Sequence, residues 1–386
     1  MTAPPPLVSV LITTYNRSRL LKRAINSVLM QSFGDFEVVI VDDCSTDDTR
    51  EVVASFQEPR IRYLRNETNV ASKGGDRAIL RCFIYELMRG KYFVYLCDDD
   101  YWLFPDLLQR QIDAFREYSD LVMVIGGQLS YFLTTPDSYF EGTPDAPMTI
   151  TLANIDRYFD LAALKSRTPH INFMRTAEGN PLFAKSNMTS DEFLEDFASN
   201  PVGKNIIGGA MLYTRELFLR SGALKSPTGS RWQAGYELKM GPGCYGRTIY
   251  FDEPSIVTEI RGSNASFRGT QIDHYLDSVK SVEIAFKTPL SDPAMKHRRN
   301  FLKTIRNKTL RILSNAFLYN ALSINRFGEL TLCSEENIRN PVTAKDVLPV
   351  YARDGIWPSR TDLKTFLSVE LSPETIDRIR RWIPSF

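Results

Sequence analysis

The chain has 386 residues, 43% hydrophobic and 24% charged, which is enough to bury a sizeable core in one large domain or a domain with an appendage. Lys plus Arg number 47 against 46 Asp plus Glu, so overall charge gives no reason to expect a nucleic acid or strongly acidic partner. Cys44, Cys82, Cys97, Cys244 and Cys333 are widely spaced and form no CxxC, which argues against a disulfide framework and a zinc site and fits a reducing cytoplasm.

The N-terminus, MTAPPPLVSV, lacks a basic segment followed by an apolar core, and no apolar run approaches the roughly 18 to 20 residues that span a bilayer. The expectation is a cytoplasmic protein, neither exported by a signal peptide nor integral to a membrane. The first strand is LVSVLITTY, and a helical pattern over 19–31 follows, with Leu20, Leu21, Ala24, Ile25, Val28 and Leu29 on one side. FEVVIVDD is the second strand, after which Ser45 or Thr46 is placed to cap a helix over 49–56. IRYLRN is a third, then comes a helix over about 73–89, the strand YFVYLCDDD, and a helix in PDLLQRQIDAFREY.

Apolar strands alternating with helices predict an α/β fold with a mostly parallel sheet covered on both faces. Ligands of such sheets lie beyond the C-terminal ends of the strands. Asp42 and Asp43 close the second strand and Asp98, Asp99 and Asp100 the fourth, so both acidic clusters are expected on one rim. From 130 to 205 the pattern is irregular and reads as an insertion over the crevice. NIIGGAMLYTRELFLRSG and RTIYFDEPSIV regain strand character, and from about residue 270 the chain reads as helical.

Clustered carboxylates at a strand end serve three ends. They act as a general acid and base, they hold Mg²⁺ or Mn²⁺ against a substrate phosphate, or they are solvated loop charges. Solvated charge explains the pattern less well here, because the acidic run directly follows a buried strand and a second DD ends another. No glycine-rich dinucleotide or phosphate-binding loop is present.

The stretch VSVLITTYNRSRLLKRAINSVLMQSFGDFEVVIVDDCSTDDT resembles the N-terminal signature of the bacterial inverting family 2 glycosyltransferases with the GT-A fold, and CDDDYW resembles their Asp-x-Asp element. The likeness returns in IIGGAMLYTRELF and FDEPSIVTEIRGSNASF. It implies a GT-A domain over 1–270, with a nucleotide-binding half over 1–130 and an acceptor-side remainder over 131–270, followed by a helical region over 271–386.

By the same resemblance, Thr13, Tyr15 and Asn16 surround the nucleotide base and ribose, and Asp43 accepts a hydrogen bond from the base. Asp98 to Asp100 hold the ribose and a divalent metal, Mn²⁺ or Mg²⁺, with Asp100 as direct ligand and Asp98 or Asp99 at the ribose or the metal's water shell. The activity implied is metal-dependent hexosyl transfer from a nucleotide sugar to a hydroxyl of a glycan or lipid-linked acceptor, in polysaccharide or glycolipid synthesis. UDP is favoured, with dTDP and GDP as alternatives.

Three departures from the family pattern matter. Where a Glu-Asp pair commonly supplies the base, this chain has Ala234 and Gly235; Glu237 is the nearest carboxylate and the leading candidate, ahead of Asp191, Glu192, Glu195 and Asp196. Where a His often completes the metal site stands Arg261, which donates to phosphate but ligates no metal. At NVASKGGDRA, Lys73 and Arg77 read as solvated helix charges. Trp232 offers an aromatic wall to an acceptor sugar.

The segment MKHRRNFLKTIRNKTLRILSNAFLYN combines seven basic side chains and no acid with an apolar stripe. IDRIRRWIPSF has a similar character. These are the places for peripheral contact with the inner face of the membrane, for a homo-oligomer interface, or for packing on the catalytic domain. A catalytically inactive nucleotide- or glycan-binding protein and a sugar nucleotidyltransferase are the rival readings.

Overall fold

The computed structural model describes residues 4–70, 87–133, 172–173, 183–201, 209, 211–223, 235–261 and 271–327. Among these, ten strands form one sheet. At its centre β1 (Val8–Thr14) pairs in parallel with β2 (Phe36–Asp42) and β4 (Tyr92–Cys97), and β2 with β3 (Ile61–Arg65). Side chains alternate across the sheet. Val8, Val10 and Ile12 pack with Leu21, Ala24, Ile25 and Val28 of α1 (Ser18–Leu29), while Leu11, Val39, Val41 and Phe93 belong to the opposite layer. Burial on both faces is why these strands read as continuous apolar runs.

The loop after β2 differs from the sequence expectation. Helix α2 (Thr49–Ser55) is not capped by Ser45 or Thr46; Asp47 accepts from the Thr49 N–H at 3.1 Å and its hydroxyl at 2.5 Å. Ser45 and Thr46 instead bond Asn16 in the loop after β1. The expected helix over 73–89 falls largely outside the described residues.

After β4 the chain turns at Asp98 and Asp99 and enters a short strand, β5 (Asp100–Trp102), then α3 (Leu107–Glu117). A strand the sequence reading passed over follows. β6 (Leu121–Leu133) is 13 residues long and runs parallel to β10 (Arg247–Arg261). The register shifts near Phe251 and Pro254, and Gly127 lies against that irregularity, where a Cβ would stand 2.3 Å from the Glu253 carbonyl oxygen. Short β7 (Asn172–Phe173) and β8 (Asn187–Met188) add to β6 and β10.

Strand β9 (Met211–Thr214) runs antiparallel to both β4 and β6, giving the order β3-β2-β1-β4-β9-β6-β10-β5. The first four strands are thus all parallel and the remainder of the sheet is mixed.

Helix α4 (Ser190–Ser199) opens with a capping box between Thr189 and Glu192. Helices α5 (Arg215–Ser221), α6 (Tyr236–Gly243), α7 (Gln271–Ser291) and α8 (Arg299–Phe327) complete this side. Leu302, Ile305, Leu310 and Leu313 of α8 share one cluster with Phe286 of α7, Phe218 of α5 and Phe93 of β4. Up to Leu313 the apolar side chains of α8 that join this cluster therefore face the fold, while Lys303, Lys308 and Arg311 are exposed. No helix among the described residues is long and apolar enough to cross a membrane. The segment 376–386 lies outside the described residues.

Candidate active site

Register assembles the site. Thr14 is level with Asp42 at the end of β2, and Thr13 with Cys97 at the end of β4, so both acidic clusters stand on one rim. Thr14 Oγ1 donates to Asp98 at 2.8 Å. Arg17, just beyond β1, places Nη1 3.0 Å from Asp98 and 2.9 Å from Asp99. Arg23 on α1 donates to the Asp99 carbonyl at 3.2 Å while its guanidinium lies 4.3 Å over the Tyr101 ring.

Asp100 is different. It is 1% exposed, and neither carboxylate oxygen has a hydrogen-bond partner. Thr258 stands opposite it in the β5–β10 ladder, near enough to favour the ionised form but outside hydrogen-bonding geometry. Gly209 covers the carboxylate; a Cβ there would lie 3.5 Å from Asp100 Oδ2 and only 2.4 Å from Ile256 Cδ1. Its carbonyl accepts from Trp102 Nε1 at 2.7 Å.

Burial and crowding set the charge states. Burial, only partly offset by Arg17, pushes Asp98 up to about 6. Burial and the Asp99 charge push Asp100 well above the usual carboxylate range, and burial with all three carboxylates does the same to the Cys97 thiol. Asp98 holds the Arg17 guanidinium even more firmly protonated than usual.

A buried carboxylate with no donor is costly unless it takes up a proton or a cation reaches it. One donor atom each from Cys97, Asp99 and Asp100 lie within 4.8 Å of one another. These residues fit a divalent metal ion.

On the other side of the rim, Asp43 is 3% exposed and its Oδ1 accepts from Asn66 Nδ2 and the Val70 N–H, both at 2.8 Å. Asp42 accepts from the Ser45 N–H at 2.7 Å and from the Tyr63 hydroxyl. Asn16 adopts a positive φ of 51°, and its Oδ1 accepts from the Thr46 N–H at 2.7 Å, locking two loops together. Tyr15 next to it is the one large hydrophobic side chain exposed among the described residues, at 43%. Thr13 Oγ1 is 3.0 Å from the Tyr95 hydroxyl.

Not every candidate joins this cluster. Glu237 lies in the first turn of α6, is wholly buried, and accepts a hydrogen bond from the Ser281 hydroxyl of α7. Arg261 ends β10 opposite Leu133. Trp232, Lys73 and Arg77 lie outside the described residues. Three acids of α4 have structural duties: Glu192 closes the capping box and pairs with Lys185, Asp191 pairs with Arg298, and Asp196 accepts from the Ala184 N–H.

Sequence reading overlooked Thr14, Arg17, Tyr63 and Cys97. Arg17 was accessible in principle, since three carboxylates at a buried strand end need a nearby cation and TTYNRS provides one at the neighbouring strand end. Tyr63 had no comparable signal, because its hydroxyl meets Asp42 only through strand pairing.

Fold and rim together define an α/β protein of the GT-A class, with an acidic rim at the C-terminal ends of its parallel strands. The glycosyl transferase family 2 profile matches residues 9–220, and the chain belongs to that family.

Among its relatives is TuaG of Bacillus subtilis (strain 168), named for teichuronic acid biosynthesis, 33% identical over 148 residues, covering 38% of this chain and 56% of TuaG. WcaA of Escherichia coli (strain K12), named for colanic acid biosynthesis, is 39% identical over 100 residues, covering 25% of this chain and 34% of WcaA. The chain thus spans about half and a third of these two relatives. The solved structure of S. aureus TarS 1-349 superposes with a TM-score of 0.54 at 16% identity, over 90% of this chain and 87% of that one. It shares the fold.

Proposed function

We propose that this chain is an inverting glycosyltransferase that moves a sugar from a nucleotide donor to a hydroxyl acceptor during synthesis of a polysaccharide or glycolipid. The observation that carries the reading is Asp100, a buried carboxylate without a hydrogen-bond partner beside Asp98 and Asp99, on the rim where a family 2 chain would bind its donor. The names of TuaG and WcaA support the pathway class. UDP is the first nucleotide to test, because TarS has been solved with UDP and with UDP-GlcNAc; dTDP and GDP follow.

In this reading Tyr15 stacks on the base, Asp43 accepts its N–H, and Thr13 and Asn16 shape the pocket around base and ribose. Asp100 with Asp99 or Asp98 holds Mn²⁺ or Mg²⁺. A divalent cation held there supplies positive charge for the departing diphosphate. Arg261 contributes charge-assisted hydrogen bonds to the same phosphates, and Trp232 offers a face to the acceptor sugar.

The proton of the acceptor hydroxyl is assigned to Glu237. That carboxylate is closed off and tied to Ser281, so the acceptor must displace part of this packing to reach it. The same burial favours a second reading, in which Glu237 only braces α6 against α7 and the protein binds a nucleotide or glycan without turnover.

Calorimetric titration with UDP, dTDP and GDP, each with Mn²⁺, Mg²⁺ or EDTA, tests the donor site. Tight binding of one nucleotide that requires metal and is lost in Asp100→Ala is expected. No binding of any nucleotide would remove the enzyme reading.

A further inference from the structure

The donor set at the end of β4 includes a sulphur. Asp98 and Asp99 form the turn; Asp98 accepts from Thr14 and Arg17, and Asp99, which shares Arg17 through one carboxylate oxygen, lies two residues from Cys97. The turn then brings back Asp100 as the first residue of β5. One donor atom each from Cys97, Asp99 and Asp100 falls within 4.8 Å of the others. Ligands bonded to one ion at about 2.0–2.3 Å stand up to about 4.6 Å apart, so the three donors need close in only slightly to share a single cation.

Asp100 gives an independent sign that a cation belongs here. Both of its oxygens are buried and lack a hydrogen-bond partner, and Cys97 is a free thiol.

We propose that the Cys97 sulphur is a third ligand of this site beside Asp99 and Asp100, so that the site selects a sulphur-accepting divalent metal such as Co²⁺ or Zn²⁺ over Mg²⁺. The proposal rests on reading the carboxylates as a cation site. Thiolate is a soft donor that Mg²⁺ takes poorly and later first-row ions take well. As the metal–sulphur bond forms, the thiol proton passes to solvent, and the ion's charge is met by the thiolate and two carboxylates.

The test is a Co²⁺ titration of the full chain with UDP present, followed in the visible for the metal's own bands and in the near ultraviolet for sulphur-to-cobalt charge transfer. A saturable charge-transfer band is expected in the wild type. It should vanish in Cys97→Ser and Cys97→Ala, with Co²⁺ affinity falling by about tenfold or more and Mg²⁺ affinity unchanged. Circular dichroism confirms that each variant is folded, and two substitutions guard against failure of either one.

Visible bands that saturate without charge transfer, or charge transfer that survives both substitutions, would overturn the role of Cys97 and leave the carboxylate site standing. Absence of Co²⁺, Mn²⁺ and Mg²⁺ binding would overturn the cation site and this proposal together.

Discussion

Arg17 Nη1 lies 3.0 Å from Asp98 Oδ1, and this contact only partly relieves the cost of burying Asp98. The carboxyl binds its proton with a pKa of about 6, above the reference 3.8. Between those values the folded chain keeps a proton that the unfolded chain has released. Stability therefore falls as pH rises from about 4 to 6 and then levels off. A displacement of about two units corresponds to roughly 3 kcal/mol. In urea unfolding with EDTA, Asp98→Asn is expected to be relatively more stable than wild type at pH 7, by about 2 kcal/mol more than at pH 4.5. A difference that does not change with pH would contradict the assignment.

At the opposite end of the sheet, Glu37 is 2% exposed and saturated with donors. Oε1 accepts from Ser9 Oγ at 2.7 Å and the Arg89 N–H at 3.0 Å; Oε2 accepts from Arg62 Nη1 at 2.9 Å and Arg89 Nη2 at 2.7 Å. Burial raises its proton affinity, but these hydrogen bonds outweigh burial and leave the pKa lowered. Its contribution is thus present above the unfolded-state pKa and lost as pH falls through the folded value. Glu37→Ala should cost about 3 kcal/mol in urea unfolding at neutral pH. Nucleotide affinity of the folded variant should be unchanged, because the residue is remote from the acidic rim.

Glu237→Gln separates the two readings of α6. The shape and the Ser281 contact are nearly conserved, whereas the ability to accept a proton is lost. Turnover is expected to drop by about 10²–10⁴-fold with donor affinity retained. Turnover equal to wild type would assign Glu237 to packing alone.

Helix α8 presents Lys303, Lys308 and Arg311 outward, and residues 293–327 contain no Asp or Glu. With Leu302, Ile305, Leu310 and Leu313 packed inward, the described side chains of α8 offer a bilayer charge. Extending the proposed function to the membrane surface predicts salt-sensitive sedimentation with phosphatidylglycerol-containing vesicles. Each Lys or Arg near such a surface contributes about 1 kcal/mol, so the triple change to Glu should abolish sedimentation while leaving nucleotide binding intact. Equal sedimentation of wild type and variant would exclude this face.

The residues themselves determined the first half of the sheet. Val8–Thr14, Phe36–Asp42 and Tyr92–Cys97 are apolar on both faces, a pattern that only a covered, parallel strand explains. Because parallel strands end on one rim, the strand pattern alone brings Asp42, Asp43 and Asp98 to Asp100 together. β6 was harder to see. Leu121–Leu133 runs from an apolar stretch into GGQLSYFL, and its pairing with β10 passes through a shifted register at Gly127 that local pattern does not encode.

Only the tertiary structure decided what each acidic residue meets. Asp98, Asp99 and Asp100 are consecutive and chemically identical in sequence. Yet Asp98 is held by Thr14 and Arg17, Asp99 shares Arg17, and Asp100 is buried beneath Gly209 without a donor. The distinction arises because a turn between β4 and β5 sends adjacent side chains in different directions, and because their partners come from β1, α1 and residue 209, distant in sequence. Glu237 makes the same point in reverse. Its place in the first turn of α6 follows from the chain, but its enclosure against Ser281 depends on α7 packing across it, a contact between residues 44 positions apart.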